Sequence, residues 1–328
     1  MTGINRYIIG VKIKLGSQPP DLGPISNGTL NNGIMEKLKK EDIKQEVFEL
    51  YDAYAHNKIQ RREFIEKLGI YAVGGLTVAS LMGFLMPNYL ETALVDKQDP
   101  TLDSDYIMYG SPKGGGEIKA LLSKPKEAKG SLPGIVVVHE NRGLNPYIED
   151  TARRAALEGF ITLAPDALTP LGGYPGNDDQ GRAMQQQRDR GEMLQDFIAG
   201  FEYLKSHAHC NGSIGVVGFC FGGWISNMMA VRVPDLKAAV PFYGGQPTED
   251  IDKIKAPLML QFAGLDERVN AGWPAYEAAL KEHGKDYTAH FYPGANHGFH
   301  NTSTPRYDQE AAELAWKRTM DFFKEHLV

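Results

Sequence analysis

A glycine-rich segment, residues 218–223 with the sequence Gly-Phe-Cys-Phe-Gly-Gly, constrains this chain more than any other feature. Apolar residues at 214–217 predict a strand before the segment, and residues 224–231 predict a helix after it. A strand, a sharp turn and a helix in this order form the setting of a nucleophile elbow. In so tight a turn, side chains two residues before and after the tip would collide, and Gly218 and Gly222 occupy those two positions.

Cys220 stands at the tip of this predicted turn, where a nucleophile elbow usually holds a serine. A thiol suits the position, because the N-terminus of the following helix stabilises a thiolate. The backbone N–H of Phe221 would then point toward a developing oxyanion. A buried core thiol and a dinucleotide-binding turn are the alternatives. The glycine spacing differs from a dinucleotide fingerprint, and no acidic residue follows at the distance that ribose binding requires.

Two further residues follow Cys220 in the chain order that a nucleophile, acid and histidine take in α/β-hydrolases. Asp266 comes just after a predicted strand at 257–262, and His297 comes just after the last predicted strand. The carboxyl ends of strands are where open α/β sheets place their active sites. Glu267 is a competitor for the acid, but its neighbouring position aims its side chain elsewhere. We therefore predict that Cys220, Asp266 and His297 act together.

The overall composition excludes several classes of protein. The chain has 328 residues, of which 42% are hydrophobic and 23% are charged, which excludes collagen, coiled coils and wholesale disorder. A formal net charge of −6 argues against a nucleic-acid partner. Cys210 and Cys220 are too few for a disulfide framework or an all-cysteine zinc site. A predicted strand lies between these two thiols, so we also expect them to be too far apart to pair.

From about residue 105 onward, short β-rich runs alternate with helical stretches. The run begins with a predicted hairpin through residues 113–116, and it includes a predicted helix at 184–206 and a closing helix at 309–327. Strands that alternate with helices of this length predict crossover units and a mostly parallel sheet. We assign residues 105–328 to one catalytic domain of the α/β class.

The first hundred residues have a different pattern. Residues 1–34 carry Gly, Asn and Pro with little apolar periodicity, so we predict a disordered or loop-rich N-terminus. Residues 35–100 are predicted as a helical appendage. Within it, apolar residues at three- and four-residue steps predict an amphipathic helix over 37–58. The true start, Met1 or Met35, is left open by the sequence.

An uncharged apolar run, residues 69–86, follows the pair Arg61 and Arg62. Paired arginines ahead of an apolar run resemble a twin-arginine export signal, and the run is barely long enough to cross a bilayer. A buried helix of the appendage is the alternative, and we favour it because the arginine pair lies far into the chain. We therefore expect a cytoplasmic protein, with a periplasmic or membrane-associated one through residues 61–86 as the alternative.

Taken together, these motifs resemble those of the dienelactone hydrolase family, a group of α/β-hydrolases with a Cys–His–Asp triad. The resemblance covers about residues 105–328 and includes residues 138–143, Val-His-Glu-Asn-Arg-Gly. It implies an α/β-hydrolase fold, with a mostly parallel, doubly wound sheet of about eight strands preceded here by the N-terminal α-helical appendage. It also implies an ester or lactone hydrolase of the carboxymethylenebutenolidase type, acting on a small molecule without metal or cofactor.

The same resemblance implies roles for two residues beyond the triad. Glu140 corresponds to the family's active-site glutamate, which holds the resting thiol and helps to deprotonate it when substrate binds. The backbone N–H of Asn141 completes the oxyanion hole with that of Phe221.

The chain departs from the family just after His297, where Gly298, Phe299, His300 and Asn301 replace the residues that grip a substrate carboxylate. The loop 171–179 is a candidate lid over the pocket. Candidates for a replacement anion clamp or for the pocket wall are arginines and ring side chains: Arg142, Arg188, Arg190, Arg306, Tyr174, Trp224, Tyr243 and His300.

The predicted reaction runs through an acyl-enzyme on Cys220, formed from an ester or lactone. A thioesterase and a general small-ester carboxylesterase are alternatives within the same chemistry. Outside it, the alternatives are a thiol-dependent redox or binding protein and an exported scaffold with an inactive hydrolase domain. The oligomeric state and the natural substrate are left open by the sequence.

Overall fold

The computed structural model describes residues 38–89 and 92–328, so the predicted loop-rich segment 1–34 lies outside the described residues. The described chain begins with three short helices, α1 (Gln45–Ala55), α2 (Arg61–Leu68) and α3 (Val78–Leu85). Their inward faces share an apolar cluster in which the ring of Tyr54 stacks on that of Phe64, with centroids 4.6 Å apart. This cluster gives the N-terminal helices a core of their own.

The amphipathic helix predicted over 37–58 is shorter than expected, since α1 ends at Ala55. Asn57 has a φ of 58°, the left-handed conformation that commonly terminates a helix. The backbone N–H of His56 still donates to the carbonyl of Asp52 at 2.9 Å, so His56 closes the last turn of α1.

The apolar run 69–86 does not form one continuous helix. It divides into a 3₁₀ turn, Gly69–Tyr71, and the eight-residue α3. Between them Gly74 and Gly75 have φ values of 63° and 94°, which interrupt the helix. Within the described residues there is no helix with the length and apolarity needed to cross a membrane. The buried side chains of α3 instead join the N-terminal core.

An eight-stranded sheet forms the rest of the molecule, in the order β1-β2-β4-β3-β5-β6-β7-β8. The first two strands form the predicted antiparallel hairpin, β2 pairs antiparallel with β4, and all later neighbours are parallel. The predicted α/β class and the sheet of about eight strands are therefore confirmed. The strands are β1 (Leu102–Ser111), β2 (Gly116–Pro125), β3 (Leu132–Val138), β4 (Ile161–Pro165), β5 (Cys210–Phe219), β6 (Ala238–Phe242), β7 (Leu258–Ala263) and β8 (Tyr287–Tyr292).

Helices cover both faces of the sheet and enclose one apolar cluster on each side. The helices are α4 (Pro146–Leu157), α5 (Asp178–Gln185), α6 (Arg190–Lys205), α7 (Phe221–Arg232), α8 (Glu267–Asn270), α9 (Trp273–Glu282) and α10 (Gln309–Leu327). α4 and α10 pack on one face, and α6, α7 and α9 pack on the other. The sheet is thus doubly wound.

The single helix predicted over 184–206 is wrong, because α5 and α6 divide that region. The side chain of Asp189 accepts the backbone N–H of Glu192 at 2.9 Å and so begins a new helix at Arg190.

The N-terminal helices are held against the loops that follow the parallel strands. Asn141, which follows β3, donates from its amide to the carbonyl of Ala55 at 2.7 Å. Gln45 donates to the side chain of Asn296, beyond β8, at 2.6 Å. The helical appendage therefore covers the carboxyl ends of the parallel strands, where the predicted active-site residues lie.

Candidate active site

Cys220 lies in the turn between β5 and α7, with a φ of 57° and a ψ of −109°. This conformation is strained for a residue with a side chain. A Cβ added to Gly218 would lie 2.0 Å from the carbonyl oxygen of Gly222, and one added to Gly222 would lie 2.4 Å from that of Val138. The glycines on either side of Cys220 thus let three backbone segments approach closely enough to hold the turn.

His297 and Asp266 meet beside this turn. Asp266 precedes α8, and its carboxylate accepts the backbone N–H of Val269 at 3.1 Å. The other carboxylate oxygen lies 2.5 Å from His297 Nδ1. His297 Nε2 is buried without a hydrogen-bond partner among the described residues. The ring is therefore oriented by Asp266 and has one nitrogen left to exchange a proton.

A second histidine, His56 at the end of α1, contacts the sulfur directly. Its Nε2 lies 3.2 Å from Cys220 Sγ. Its Nδ1 lies 2.9 Å from the backbone carbonyl of Asp52 and 3.1 Å from a carboxylate oxygen of the same residue. The rings of His56 and His297 meet edge to face, with centroids 4.7 Å apart. Two histidines, each beside an aspartate, thus converge on one thiol.

Arg268 connects these two histidine–aspartate pairs. Its guanidinium lies 3.4 Å from the carboxylate of Asp52 and 3.9 Å from that of Asp266. Its Nη2 lies 3.2 Å from a ring nitrogen of each of His56 and His297. The arginine therefore sets a fixed positive charge between two carboxylates.

The charges around the sulfur favour an ion pair. Burial opposes the thiolate of Cys220, but the imidazoles of His56 and His297 together hold its pKa well below the ordinary value. Burial likewise opposes a charged His297, yet the Asp266 carboxylate, with Asp52 and the thiolate, raises the pKa of His297 to about 10. These shifts favour a thiolate on Cys220 that faces a protonated imidazole.

Glu140 lies close to this group but has a different hydrogen-bond partner from the one implied by the resemblance. Its carboxylate accepts from the side-chain amide of Asn301 at 2.9 Å, whereas the side chain that contacts the sulfur is His56. Burial, with the nearby thiolate, raises the pKa of Glu140, although Arg142 opposes the shift. Its role on the resting thiol stays a prediction.

The thiol opens onto a cavity of about 840 Å³. Cys220, Phe221 and Asn141 lie together in its wall, as the two predicted oxyanion donors require. The N-terminal segment forms another part of the wall with His56, Asn57 and Lys58. Among the described residues no carboxylate lines the cavity. Five lysine and arginine side chains do so: Lys58, Arg182, Arg188, Arg190 and Arg268.

Only some of the residues predicted to touch substrate line this cavity. Arg188, Arg190, Trp224 and Tyr243 do so. Arg142 pairs with Asp178 at 2.7 Å, and Tyr174 donates to the same carboxylate at 2.8 Å. Neither side chain is among those that line the cavity. The buried His300 lies 2.6 Å from the hydroxyl of Tyr147, also outside that lining. Substrate contact by these last three stays a prediction without support from the cavity.

The loop 171–179, predicted as a candidate lid, leads into α5. Asp179 there accepts from the hydroxyl of Tyr54 at 2.8 Å, so the start of α5 is tied to α1. Arg182 and Gln185 of α5 line the cavity. The roof of the site is therefore built by the N-terminal helices and α5 together.

Cys220, His56 and His297 also have ligand atoms within 4.8 Å of one another, the spacing of a small metal site. Arg268 places its positive charge 3.2 Å from a ring nitrogen of each histidine. That charge opposes a bound cation, so the group is better suited to proton transfer than to metal binding.

Sequence reasoning identified Cys220 and His297 but missed three residues of the site: Asp52, His56 and Arg268. The only signal was a histidine four residues after an aspartate on a predicted helix, a spacing that places the two on one helix face. Nothing in that spacing indicates which distant residue the pair contacts.

Comparison with family models divides the chain in the same way as the fold. Residues 118–327 match the model described as "Dienelactone hydrolase family". Residues 35–73 match a second model, described as "YqhI-like". The second match contains α1 and α2, and with them Asp52 and His56.

Curated proteins and solved structures give a consistent result. A "Putative hydrolase fragment YghX" of Escherichia coli is 54% identical over 114 residues, covering 35% of this chain and 97% of the fragment. A "Putative carboxymethylenebutenolidase" of Saccharolobus solfataricus is 32% identical over 257 residues, covering 66% of this chain and 97% of that protein.

Among solved structures, a dienelactone hydrolase from Anabaena variabilis superposes with a TM-score of 0.54 at 19% identity, covering 70% of this chain and all of that one. A "Dienelactone Hydrolase-like Promiscuous Phospotriesterase P91" from metagenomic libraries superposes with a TM-score of 0.60 at 22% identity, covering 70% and 100%. These superpositions support the fold alone.

The two cysteines should differ sharply in reactivity. The pKa of Cys220 is lowered, so we expect its thiolate at neutral pH and an alkylation rate that falls only as the pH drops through that lowered pKa. Burial raises the pKa of Cys210, so its rate should still be rising above pH 9. Iodoacetamide at pH 7, followed by peptide mass spectrometry, should label Cys220 first. Equal labelling of the two cysteines would contradict this assignment of charge.

Proposed function

The chain belongs to the dienelactone hydrolase family, and from that premise we propose that it cleaves a carboxylic ester or lactone with Cys220 as the nucleophile. The observation that carries the proposal is the strained turn at Cys220, which presents a thiolate to the cavity beside His297. The contact of His297 with Asp266 at 2.5 Å supports the remaining two members of the triad.

The proposed reaction begins when the Cys220 thiolate attacks the substrate carbonyl carbon. The carbonyl electron pair moves to oxygen, and the backbone N–H groups of Phe221 and Asn141 stabilise that oxyanion, an effect worth about 3–4 kcal/mol for each donor. A protonated histidine beside the sulfur gives its proton to the leaving oxygen, which releases the alcohol and leaves a thioester. The neutral imidazole so formed then takes a proton from water, hydroxide attacks the thioester, and the carboxylic acid departs as the thiolate and the imidazolium reform.

Thioesters and small carboxylic esters are alternative substrates, because the same nucleophile and oxyanion donors serve them all. A thiol redox role is less well supported. Cys210 begins β5 and Cys220 follows its end, and both are free thiols. Because the ten-residue strand begins at Cys210 and ends just before Cys220, the two sulfurs are too far apart for a disulfide.

The Cys220→Ala variant should lose hydrolysis of p-nitrophenyl acetate, because the acyl-enzyme can no longer form. We expect kcat/KM to fall by about 10³-fold or more, toward the level that binding and the oxyanion donors alone sustain. The matched control is Cys210→Ala, which removes the other thiol and should retain the wild-type rate. Equal rates for Cys220→Ala and wild type would exclude the nucleophile.

The cavity charge supports an anionic substrate. Arg182 pairs with Asp179, Arg188 with Asp196 and Arg268 with Asp52. Lys58 and Arg190 have no acidic partner among the described residues, and Arg190 stacks on Trp224 at 4.0 Å. We propose that these two cations bind a carboxylate on the substrate, in place of the clamp that the segment after His297 lacks.

The Arg190→Gln variant should therefore discriminate between two esters of similar size. For mono-p-nitrophenyl succinate, which carries a carboxylate, KM should rise about tenfold, the value of one charged hydrogen bond. For neutral p-nitrophenyl butyrate KM should hardly change. Arg62→Gln, at a fully exposed arginine outside the cavity, is the control. A matching change for both esters would remove Arg190 from the clamp.

We also propose that residues 61–86 are a structural part of the protein and not a cleaved export signal. Three observations support this: Arg61 begins α2, its guanidinium lies 3.8 Å from Asp179, and α3 buries Leu81 and Leu85 in the N-terminal core.

The mature protein isolated from its native cells should accordingly retain peptides from residues 38–89. Intact-mass measurement and peptide mapping after cell fractionation check this directly. A mature chain that begins near residue 90, recovered outside the cytoplasm, would favour the twin-arginine interpretation.

A further inference from the structure

His56 is the residue whose position the proposed hydrolase reaction does not explain. The family triad already supplies one histidine to Cys220, and the family match begins only at residue 118. Yet the Nε2 atom of His56 lies 3.2 Å from the sulfur. A side chain from the N-terminal helices therefore touches the reacting atom itself.

The surroundings of His56 determine which nitrogen can exchange a proton. Nδ1 faces two oxygens of Asp52, its carbonyl at 2.9 Å and its carboxylate at 3.1 Å. Because both oxygens only accept, Nδ1 carries a hydrogen. Nε2 lies 3.2 Å from Cys220 Sγ and 3.2 Å from Nη2 of Arg268. Because a guanidinium stays protonated, the sulfur is the neighbour with which Nε2 can exchange a proton. The Asp52–His56 pair is thus arranged like the Asp266–His297 pair, with the aspartate beside Nδ1 of the histidine in both.

The contacts on Asp52 keep that pair in place. Its carboxylate lies 3.4 Å from the guanidinium of Arg268 and 3.6 Å from that of Arg306. Although burial opposes its charge, His297, His56 and Arg268 hold the pKa of Asp52 below the ordinary value. Although burial also opposes a charged imidazole, the Cys220 thiolate and Asp52 raise the pKa of His56. An ionised carboxylate therefore supports an imidazolium at the sulfur.

We propose that His56, oriented by Asp52, is a second catalytic histidine, which keeps Cys220 as a thiolate and protonates the leaving group during acylation. The proposal rests on the proposed function of Cys220 as nucleophile. The neutral imidazole of His56 that acylation leaves behind then acts as the base that activates water. His297, oriented by Asp266, stays protonated and stabilises the thiolate from the other side.

The protons balance in this scheme. The resting site holds the thiolate and the imidazolium forms of both His56 and His297. As the sulfur–carbon bond forms and the carbon–oxygen bond breaks, the His56 Nε2 proton passes to the leaving oxygen. Water then gives a proton to the neutral His56 Nε2 and hydroxide to the thioester carbon, which expels the thiolate. The carboxylic acid departs, and the thiolate and the His56 imidazolium of the resting site are restored.

The cavity leaves room for a substrate beside His56. The ring forms part of the wall, next to Asn57 and Lys58, and Cys220 still faces about 840 Å³ of space. A ring that closed off the sulfur would leave no such opening. The position is that of a general acid adjoining the leaving group.

Several charged groups other than His56 act on the thiol, and a titration must be interpreted with all of them. His297, after β8, lowers the pKa of the thiol. The positive charge of Arg268, after β7, favours the thiolate, and the negative charge of Glu140, after β3, disfavours it. The remaining groups that face this cluster are Asp52, Asp266, Arg190 and Arg306.

The first experiment measures the thiolate without any substrate. Rates of Cys220 alkylation by iodoacetamide, recorded from pH 4 to 10, give the thiolate pKa in wild type, His56→Gln and His283→Gln. His283 is an exposed histidine at the end of α9 and serves as the matched control. We expect the His56→Gln midpoint to rise by a unit or more, which lowers the rate about tenfold below the midpoint. A midpoint equal to that of wild type would overturn the proposal.

The second experiment isolates the acid role at pH 9, where the thiolate is formed with or without His56. For p-nitrophenyl acetate, whose leaving group needs no proton, His56→Gln should keep kcat/KM within a few-fold of wild type. For ethyl acetate, whose leaving alkoxide needs one, kcat/KM should fall by about 10²-fold, as expected for a lost general acid. Equal losses for the two esters would overturn the acid role.

A third measurement uses the intact wild-type protein, in case His56→Gln does not fold. Nitrogen-15 NMR of the histidine rings should show a pKa for His56 that falls when Cys220 is carboxamidomethylated. An unchanged His56 titration would overturn the contact. If wild type hydrolyses neither ester, the proposed function fails and this assignment fails with it. If it hydrolyses both and His56→Gln matches His283→Gln throughout, this assignment alone is overturned.

Discussion

The close approach of backbone at three glycines is the constraint on which the rest of this molecule depends. Gly218, Gly222 and Gly223 leave no space for a Cβ, since each would meet a backbone atom at 2.5 Å or less. That contact forces the chain from β5 into α7 through the strained φ of Cys220. The sulfur then faces outward at the carboxyl ends of the parallel strands, and the loops after β3, β7 and β8 are arranged around it.

Much of the fold followed from local patterns. The short apolar runs predicted the parallel sheet, and the glycine spacing predicted the turn at Cys220. The errors were at helix ends, where a single residue decides: Asn57 ends α1 through a left-handed φ, and Asp189 starts α6 by accepting an N–H. Both are short-range interactions with little effect on hydrophobic periodicity, and so the pattern of apolar residues did not reveal them.

The family resemblance supplied the residues on the catalytic domain, but it provided no information on the other half of the cavity. His56 contacts a residue 164 positions away, and Asp52 contacts Arg268 across 216. Long-range contacts of this kind depend on how the N-terminal helices pack, and a histidine at the end of a helix has no composition or spacing that distinguishes it. Buried partners such as Gln45 with Asn296 were hidden for the same reason.

The wall of the cavity is shared between two regions of the chain that match different family models, residues 35–73 and 118–327. For the proposed hydrolase, substrate selectivity is consequently a joint property of both regions, because Lys58 and Arg190 come from opposite sides of that division. Because the two regions belong to one chain, each is present at a high effective concentration for the other. They therefore need only weak mutual affinity to keep the cavity wall assembled. The substrate range of a relative that aligns with the catalytic region alone therefore does not transfer to this protein.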